Sequence, residues 1–395
     1  MLHRIGVFLI CQLACLTALA QAGAPAQRAE IRAAAEALTA AEMPALIERA
    51  EAGDARAQTL AGLAHYLGKS VAKDLSLALQ WYEKAAQQGH AVAQASLGLM
   101  LAKGEGAARN AAAAHEWLAK AAAQGDAEAR YNLGILYANG IGVARDRARA
   151  LELYTAAAEQ GLAAAQYNLG AIYHAGAGVA RDLPQAVNWF TKAAAQGDRR
   201  AQYNLGVIHL TGSGVAKDAA AGIEWFLKSA GQGHVPAYYQ LGLIYETGKE
   251  APQDIEAAAG WYRKAAERGL AQAQLSLGRM HENGMLARDA EEALKWYLKA
   301  AGQGLAQAQY LAGFFYETGK GVAADAAQAV EWYRKAAAQG HLTAQYTLGV
   351  FFEEGRGVAA DPAEALKWLR QAAAQGYAPA RERVERLQSG TGGKP

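Results

Sequence analysis

The fold is decided by residues 201–233, which read AQYNLGVIHLTGSGVAKDAAAGIEWFLKSAGQG. Versions of this stretch recur along the chain, and each ends in a glycine that follows an Ala-Ala-x-x or closely related run. These phrase glycines are Gly53, Gly89, Gly125, Gly161, Gly197, Gly233, Gly269, Gly304, Gly340 and Gly376. Each step is 36 residues long except the step from 269 to 304, which is 35. A fixed period of this size predicts a solenoid of supersecondary units.

The composition limits what this chain of 395 residues can bind. Apolar residues make up 52% of it, with alanine dominant, so small side chains are available for close packing of helices. The formal net charge is +2, and no strongly basic stripe exists that would release counterions from a nucleic acid. We therefore expect no nucleic-acid partner.

Residues 1–22 are predicted to be a secretory signal peptide. A positive start at His3 and Arg4 precedes an apolar core and small-x-small cleavage motifs. The core is too short to span a membrane, so we expect no membrane insertion of the mature chain. Both cysteines, Cys11 and Cys15, lie in this segment. The protein is expected to be exported, periplasmic or secreted; an uncleaved anchor, a lipid at Cys15 and a eukaryotic ER-lumenal location are the alternatives.

Each unit is predicted to contain two helices, as residues 126–161 illustrate. Ala127–Asn139 has apolar or small residues at helical spacing and forms the first helix, helix A. Gly140 stands where a left-handed C-terminal cap is needed, and Asp146 where the next helix needs an N-cap. The second helix, helix B, then covers about 147–160.

Three columns of residues repeat with the same period. A glycine inside helix A costs about 1 kcal/mol against alanine, so its recurrence predicts close approach of helix B. A tryptophan column in helix B is predicted to hold units together, because each indole buries about 200 Å². An aspartate, or Asn110 in one unit, is the N-cap of helix B. The columns are Gly62, Gly98, Gly134, Gly170, Gly206, Gly242, Gly278, Gly313 and Gly349; Trp81, Trp117, Trp189, Trp225, Trp261, Trp296, Trp332 and Trp368; and Asp74, Asp146, Asp182, Asp218, Asp254, Asp289, Asp325 and Asp361.

The ends of the chain differ from the repeats, which are predicted to occupy residues 54–376. Residues 27–52 are predicted to form an N-terminal helical cap, because a terminal unit has no neighbour to cover it. Residues 377–388 are predicted to form a C-terminal capping helix. The glycine-rich residues 389–395 are predicted to be a disordered tail.

The unit Ala-Gln-Tyr-Asn-Leu-Gly-x-x-Tyr/His, continued by Gly-x-Gly-Val-x-x-Asp and Trp-Tyr/Phe-x-Lys-Ala-Ala-x-Gln-Gly, is similar to the Sel-1-like repeat. This repeat is a relative of the tetratricopeptide repeat, and the resemblance covers nine tandem copies over residues 54–376. It implies an all-α fold, an α/α superhelical solenoid whose A helices line a concave groove. It also implies an adaptor for protein assemblies. One cysteine-rich branch of the family has reported penicillin binding, but the repeats here contain no cysteine.

Two motifs that resemble enzyme signatures are predicted to be structural. Ser70 and Lys73 have the Ser-x-x-Lys spacing of penicillin-interacting enzymes, but other units place glycine at the position of Ser70 and the partner motifs are missing. Gly248 and Gly319 each end a run that faintly resembles a phosphate loop, yet the spacer is too long and no strand precedes it. We therefore predict no catalytic residues.

The nine histidines show no metal-binding pattern. His65, His209 and His281 share a column that tyrosine occupies in other units, which indicates packing residues. No pair has His-x-x-x-His spacing, and no carboxylate is spaced with them as a ligand. We predict no metal site and no cofactor.

The strongest functional signal lies on one side of helix A, at positions six, ten and thirteen after each phrase glycine. Tyrosine recurs at position six, as Tyr131, Tyr167, Tyr203, Tyr239, Tyr310 and Tyr346. A rigid ring with a hydroxyl suits binding because little entropy is lost. The alternative is that these rings only pack against the next unit.

Two further sets of side chains accompany the tyrosines. Asn132, Asn168 and Asn204 follow three of them, and are expected either to bind a peptide backbone or to pack between units. Glu246, Glu282, Glu317 and Glu353 occupy position thirteen and are expected to make the C-terminal half of the groove acidic. Such a groove would bind an extended or helical segment with basic residues; plain solvation of the glutamates is the alternative.

The sequence therefore predicts an exported, non-enzymatic scaffold that binds a protein or peptide, and it leaves the oligomeric state open. One rival is a cell-wall or β-lactam-acting hydrolase with Ser70 as its nucleophile. Another is a glycan-binding structural component of an envelope export complex, which a row of tyrosines also permits.

Overall fold

The computed structural model describes residues 26–389. Every regular element in that range is an α-helix, which confirms the all-α class. The helices are α1 Ala26–Ala37, α2 Met43–Glu51, α3 Ala55–Leu67, α4 Leu75–Gln87, α5 Ala91–Lys103, α6 Ala111–Ala123, α7 Ala127–Asn139, α8 Arg147–Glu159, α9 Ala163–Ala175, α10 Leu183–Ala195, α11 Arg199–Thr211, α12 Ala219–Gly231, α13 Val235–Thr247, α14 Ile255–Glu267, α15 Ala271–Asn283, α16 Ala290–Gly302, α17 Ala306–Thr318, α18 Ala326–Ala338, α19 Leu342–Glu354, α20 Pro362–Ala374 and α21 Ala378–Gln388. The predicted signal peptide, with both cysteines, and residues 390–395 of the predicted tail lie outside the described range.

The described helices form two compact units that divide after residue 229, within α12. Odd-numbered helices from α3 to α19 are the A helices, and even-numbered helices from α4 to α20 are the B helices. Within each unit a helix A contacts the helix B that completes its hairpin, and that helix B contacts the next helix A. Contacts of this nearest-neighbour kind are those of a solenoid.

The predicted N-cap of helix B and the predicted left-handed C-terminal cap of helix A are both present in the hairpins. The Asp or Asn before each helix B accepts a hydrogen bond of 2.9–3.0 Å from a backbone N–H in the first turn. The glycine that ends helix A is left-handed, as at Gly140, where φ is 68°. The aspartate column therefore caps helices and needs no catalytic explanation.

Close approach of the two helices at the glycine column is confirmed. A Cβ atom built on Gly206 would lie 2.7 Å from the ring of Phe226, and one on Gly134 would lie 2.8 Å from the ring of Tyr154. The residue that meets the glycine follows the tryptophan position by one, and we call this set the core column. Its members are Tyr82, Leu118, Tyr154, Phe190, Phe226, Tyr262, Tyr297, Tyr333 and Leu369, each at most 4% exposed. The core column is therefore the centre of each hairpin.

The tryptophans lie between hairpins, which confirms their predicted role in joining units. Trp189 of α10 belongs to one apolar cluster with Tyr154 of α8 and Leu169 of α9. The indoles are less buried than the core column, and four of the eight are only half-buried. A lysine one turn later covers the outer side of most rings; Lys192 Nζ, for example, lies 4.2 Å from the ring centroid of Trp189.

Glutamines that the sequence analysis did not assign also join neighbouring hairpins. Gln309 of α17 donates its Nε2 to the Ala301 carbonyl at 3.2 Å and accepts from Gln339 of α18 at 2.8 Å. The same glutamine pairs are Gln58 with Gln88, Gln94 with Gln124, Gln166 with Gln196, Gln274 with Gln303, and Gln345 with Gln375. Each pair lies within one hairpin, and the bond from its helix A glutamine to a carbonyl of the preceding helix crosses to the neighbour. Because an unpaired buried amide costs about 1–3 kcal/mol, these bonds favour one stacking register between hairpins.

The substitution Gly278→Ala tests the close approach. Its Cβ would lie 2.5 Å from the buried ring of Tyr297, so we expect the free energy of unfolding to fall by about 1–3 kcal/mol. Gly260→Ala is the control, since nothing lies within 4 Å of the added atom and the helix gains about 0.5–1 kcal/mol. Thermal unfolding followed by circular dichroism measures both; equal stabilisation by the two changes would contradict the close approach.

Candidate binding face of the A helices

The A helices have one side that the B helices leave partly exposed. It is made by the residues three, six, seven, ten and thirteen positions after each phrase glycine, and we call it the helix A face. In the first unit the face belongs to α3, α5, α7, α9 and α11, and in the second to α13, α15, α17 and α19. Position ten is mostly apolar, as at Val207, with Arg279 the exception.

The tyrosines at position six lie on the core column of their own hairpin. The ring centroids of Tyr167 and Phe190 are 5.8 Å apart, and those of Tyr203 and Phe226 are 5.4 Å apart. The same contact joins Tyr131 to Tyr154, Tyr239 to Tyr262, and Tyr310 to Tyr333. Tyr167 and Tyr203 are only half-buried. Packing therefore holds one side of these rings, and the Arg200 guanidinium lies 4.1 Å from the ring centroid of Tyr167, while a binding role for the column stays a prediction.

The three asparagines contact their own helix or the preceding hairpin. The Asn168 amide donates to the hydroxyl of Tyr131 at 3.5 Å, and Asn204 hydrogen-bonds Tyr167. Asn132 donates to the carbonyl of Glu128 at 2.8 Å. Packing between units therefore accounts for Asn168 and Asn204, and contact with a bound backbone stays a prediction.

The glutamates at position thirteen accept hydrogen bonds within the second unit. Glu282 accepts from the Tyr297 hydroxyl at 2.5 Å and from Lys320 Nζ at 2.8 Å. Burial and this bond both raise the pKa of Tyr297. Glu353 accepts from Arg383 of α21 at 2.7 Å. The same arrangement joins Glu317 to Tyr333 and Arg356.

Three of the four glutamates, Glu282, Glu317 and Glu353, already form ion pairs with cations of the following helix or loop, so binding of a basic partner at them stays a prediction. Glu246 differs: it accepts from the hydroxyl of Tyr262, and no cation in the described chain forms an ion pair with it. The position that holds Lys320 or Arg356 in later hairpins is Met285 here, which is 46% exposed. Because this hairpin has methionine in place of the cation, the Glu246 carboxylate is left without an ion pair among the described residues.

The N-terminal helix α1 lies on the helix A face of the first unit. Its Arg28 guanidinium is 2.8 Å from the carboxylate of Asp126 and 2.8 Å from that of Glu128, at the start of α7. α1 also contacts α3, so it extends over the first three hairpins. Ile31 and Ala35, at 2% and 0% exposure, continue the same stripe of α1. One helix is thus bound along its Arg28, Ile31 and Ala35 side.

The row of tyrosines begins only at α7, the helix whose start pairs with Arg28 of α1. Position six is Thr59 in α3 and Ala95 in α5, and both are 0% exposed. Tyr131 of α7 is 8% exposed, whereas Tyr167 in the next hairpin is half-buried. Small side chains leave room for a helix where rings would otherwise stand.

The charges under α1 are buried and unequal in number. Burial raises the pKa of the Glu128 carboxyl, and Arg28 opposes that rise. Burial lowers the pKa of Arg28, but Glu128 and Asp126 together raise it above its ordinary value. In the described residues, Arg28 Nε and Arg32 Nη1 have no hydrogen-bond partner. The site therefore holds two carboxylates against one paired guanidinium.

Sequence reasoning missed Glu128, although a signal exists. It is the one carboxylate found three positions after any phrase glycine; the other units have Arg, Val, Ala, Pro, Gln or Thr there. A charge that departs from its column can mark a contact outside the repeat pattern. Its partner Arg28 is 98 residues away, beyond the reach of any periodicity.

The structure supports the structural interpretation of both enzyme-like motifs. Ser70 has φ of 68°, close to Gly142 at 69° in the equivalent loop, and its hydroxyl donates to the Leu38 carbonyl. It is thus a substituted loop glycine, as predicted. Gly248 and Gly319 are left-handed caps at the ends of α13 and α17.

No group of three or more His, Cys, Asp or Glu is placed to hold a metal ion within residues 26–389. His65, His209 and His281 are half-buried, as packing residues would be. Among the described helices, none has both the length and the apolar character needed to cross a membrane.

Comparison with known proteins agrees with this geometry. The profile described as Sel1 repeat matches residues 55–90, 91–126, 127–162, 163–198, 199–234, 235–270, 271–305, 306–341 and 342–377. The chain belongs to the Sel1 repeat family. Its resemblance to the Sel-1-like repeat is thereby confirmed. No curated protein sequence matches this Sel1 repeat protein significantly.

Two solved structures resemble this Sel1 repeat protein. One is a protective antigen of uropathogenic Escherichia coli with an SLR fold, 34% identical over 87% of this chain and 82% of that chain, with a TM-score of 0.65. The other is a Sel1 repeat protein from Oxalobacter formigenes, 33% identical over 78% of this chain and 90% of that one, with a TM-score of 0.62. Both support a solenoid of two-helix repeats.

Removing the Tyr297 hydroxyl tests the tyrosine–glutamate contact. Tyr297→Phe leaves Glu282 without one donor, so we expect the free energy of unfolding to fall by about 1–2 kcal/mol. Tyr316→Phe is the matched control, since the structure shows no hydrogen bond from that hydroxyl to a described residue. Urea unfolding measures the free energy of unfolding of both variants. Equal decreases in the two would show that the Tyr297–Glu282 contact does not stabilise the fold.

The same contact predicts a pH dependence. The pKa of Tyr297 is raised in the folded state, so its protonated hydroxyl stabilises the fold fully below the unfolded-state pKa of about 10. This contribution to the free energy of unfolding is lost as the pH rises above that value. The advantage of the wild type over Tyr297→Phe should therefore shrink above pH ~10, by about 1.4 kcal/mol per pH unit. Urea unfolding at several pH values between about 8 and 11 measures this; a constant difference would contradict it.

Proposed function

We propose that this Sel1 repeat protein is an exported, non-enzymatic scaffold that binds a helical segment of a partner protein on its helix A face. The observation that carries the proposal is α1, which lies on this face with Arg28 between Asp126 and Glu128. A face that holds a helix of its own chain has the shape and chemistry to hold another.

The uncovered part of the face in the first unit has the features of a protein-binding surface. Tyr167 and Tyr203 are half-buried aromatic rings, fixed from below by Phe190 and Phe226. Aromatic side chains supply much of the energy of protein interfaces, and rings that are already ordered lose little entropy on binding. Val207 adds an apolar position beside them.

The export and the absence of catalysis rest on different observations. Export is supported by the signal-like residues 1–22, and N-terminal sequencing of the protein from fractionated cells tests it. The hydrolase alternative is disfavoured because the Ser70 hydroxyl donates to the Leu38 carbonyl, and Ser70 substitutes for a loop glycine. Repeat solenoids of this kind present extended surfaces for partners.

Replacing the half-buried ring of Tyr167 tests the proposed face. Tyr167→Ala is expected to weaken capture of the partner from the native cell at least about tenfold, because a central aromatic anchor is lost. Tyr173→Ala is the matched control: it is also half-buried, but it lies at position twelve, off the face. Quantitative mass spectrometry after affinity capture compares the two with the wild type, once circular dichroism shows equal folding. Equal capture by all three proteins, or equal loss in both variants, would contradict the proposal.

A further inference from the structure

We infer that the part of the helix A face beneath α1 is itself a recognition site for an arginine-bearing amphipathic helix of a partner protein, and that α1 is its removable occupant. This inference rests on the proposed function and deepens it, because it names the chemistry of the ligand. The site belongs to the first unit and consists of Asp126, Glu128, Thr59 and Ala95.

The polar end of the site selects arginine. Arg28 donates a hydrogen bond from Nη2 to the Asp126 carboxylate, and its Nη1 forms an ion pair with Glu128, at 2.8 Å in both cases. A forked, planar group suits two carboxylates better than the single ammonium of lysine. Glu128 has no counterpart in any other hairpin, so this end of the site exists once in the array.

The apolar part of the site selects the rest of the helix. Ile31 and Ala35 follow Arg28 by three and seven residues, and such positions lie on one side of a helix. Thr59 of α3 and Ala95 of α5 are small and fully buried, whereas most later hairpins carry a tyrosine at the same position. The ligand is therefore a helix with arginine, then an aliphatic residue at the third position and a small residue at the seventh.

The fit of α1 is incomplete, which makes it replaceable. The Arg28 Nε and a nitrogen of the neighbouring Arg32 are buried with no partner among the described residues, and buried donors left unpaired oppose docking. Within residues 28–37 only three side chains are buried, so little apolar surface holds α1 in place. A partner helix that supplies acceptors for these nitrogens, or more apolar area, would bind better.

The connection of α1 to the array also permits its release. A short link, residues 38–42, joins α1 to α2, and α2 contacts α3 separately. α1 can therefore leave the face while the hairpins keep their glycine and core-column contacts. A fixed N-terminal cap would instead open only when the first hairpins unfold.

A labelled peptide with the sequence of residues 26–39, AQRAEIRAAAEALT, tests the site on the full chain by fluorescence anisotropy. Arg28→Ala in the protein weakens the occupant, so the peptide should bind this variant at least about tenfold more tightly than the wild type. Adding Glu128→Gln to that variant should remove the gain, whereas adding the exposed Glu116→Gln should not. A peptide in which alanine replaces Arg28 should not bind. Failure of the peptide to bind any of these proteins, or binding indifferent to Glu128, would overturn the inference.

Hydrogen–deuterium exchange of the unmodified protein gives a second, independent measurement. A removable helix predicts that the amides of α1 exchange at least about tenfold faster than those of α5 and α7. Exchange of α1 at the rate of α5 would show a fixed cap and overturn the inference. Concentration-dependent dimerisation abolished by Glu128→Gln would identify a second copy of the chain as the occupant and overturn the assignment to a partner protein.

The two proposals can fail separately. The peptide titration depends on Asp126 and Glu128 beneath α1, whereas partner capture depends on the half-buried ring of Tyr167, outside that site. Peptide binding without any effect of Tyr167→Ala on capture would leave the recognition site standing and remove only the wider proposed face.

Discussion

Each hairpin in this protein takes its geometry from the contact between a glycine of helix A and the core-column residue opposite it. That residue is an aromatic ring in seven hairpins and a leucine, Leu118 or Leu369, in the other two. At Gly242 a Cβ would lie 2.5 Å from the ring of Tyr262, a distance that no real side chain tolerates. Alanine would be the better helix former, so the glycine is retained at a cost of about 1 kcal/mol in each unit. The cost is offset because the ring becomes fully buried. With this distance set, the tryptophans and paired glutamines can join one hairpin to the next.

The helix A face depends on the same contact. Because the core column lies directly beneath position six, each tyrosine there has a rigid support, and Tyr167 and Tyr203 stay half-buried. Carboxylates on this face are mostly compensated: cations of the following hairpin pair with Glu282 and Glu317. The buried pair of Asp126 and Glu128 is compensated by Arg28 of another element. Most carboxylates on this surface are therefore neutralised one by one by nearby cations, and the described part of the surface carries no broad acidic field.

The period of the sequence was enough to predict the helices, their caps and the close approach at the glycine column, because each depends on residues within one unit. It was not enough for contacts that leave the unit. The core column was missed because the neighbouring tryptophans are the more uniform set. The role of Lys320 was not predicted, because its ammonium pairs with Glu282 one hairpin earlier. The Arg28–Asp126 contact joins residues 98 positions apart, and only three-dimensional structure reveals it.

The central claim is that the helix A face holds a helix through an arginine between two carboxylates. A double-mutant cycle with Arg28→Ala and Glu128→Ala, measured by urea unfolding, tests it most directly. If the two side chains are in contact, the decrease in the free energy of unfolding of the double variant should differ from the sum of the decreases in the single variants by more than about 0.5 kcal/mol. Strictly additive losses would show that α1 is not held there and would contradict the account.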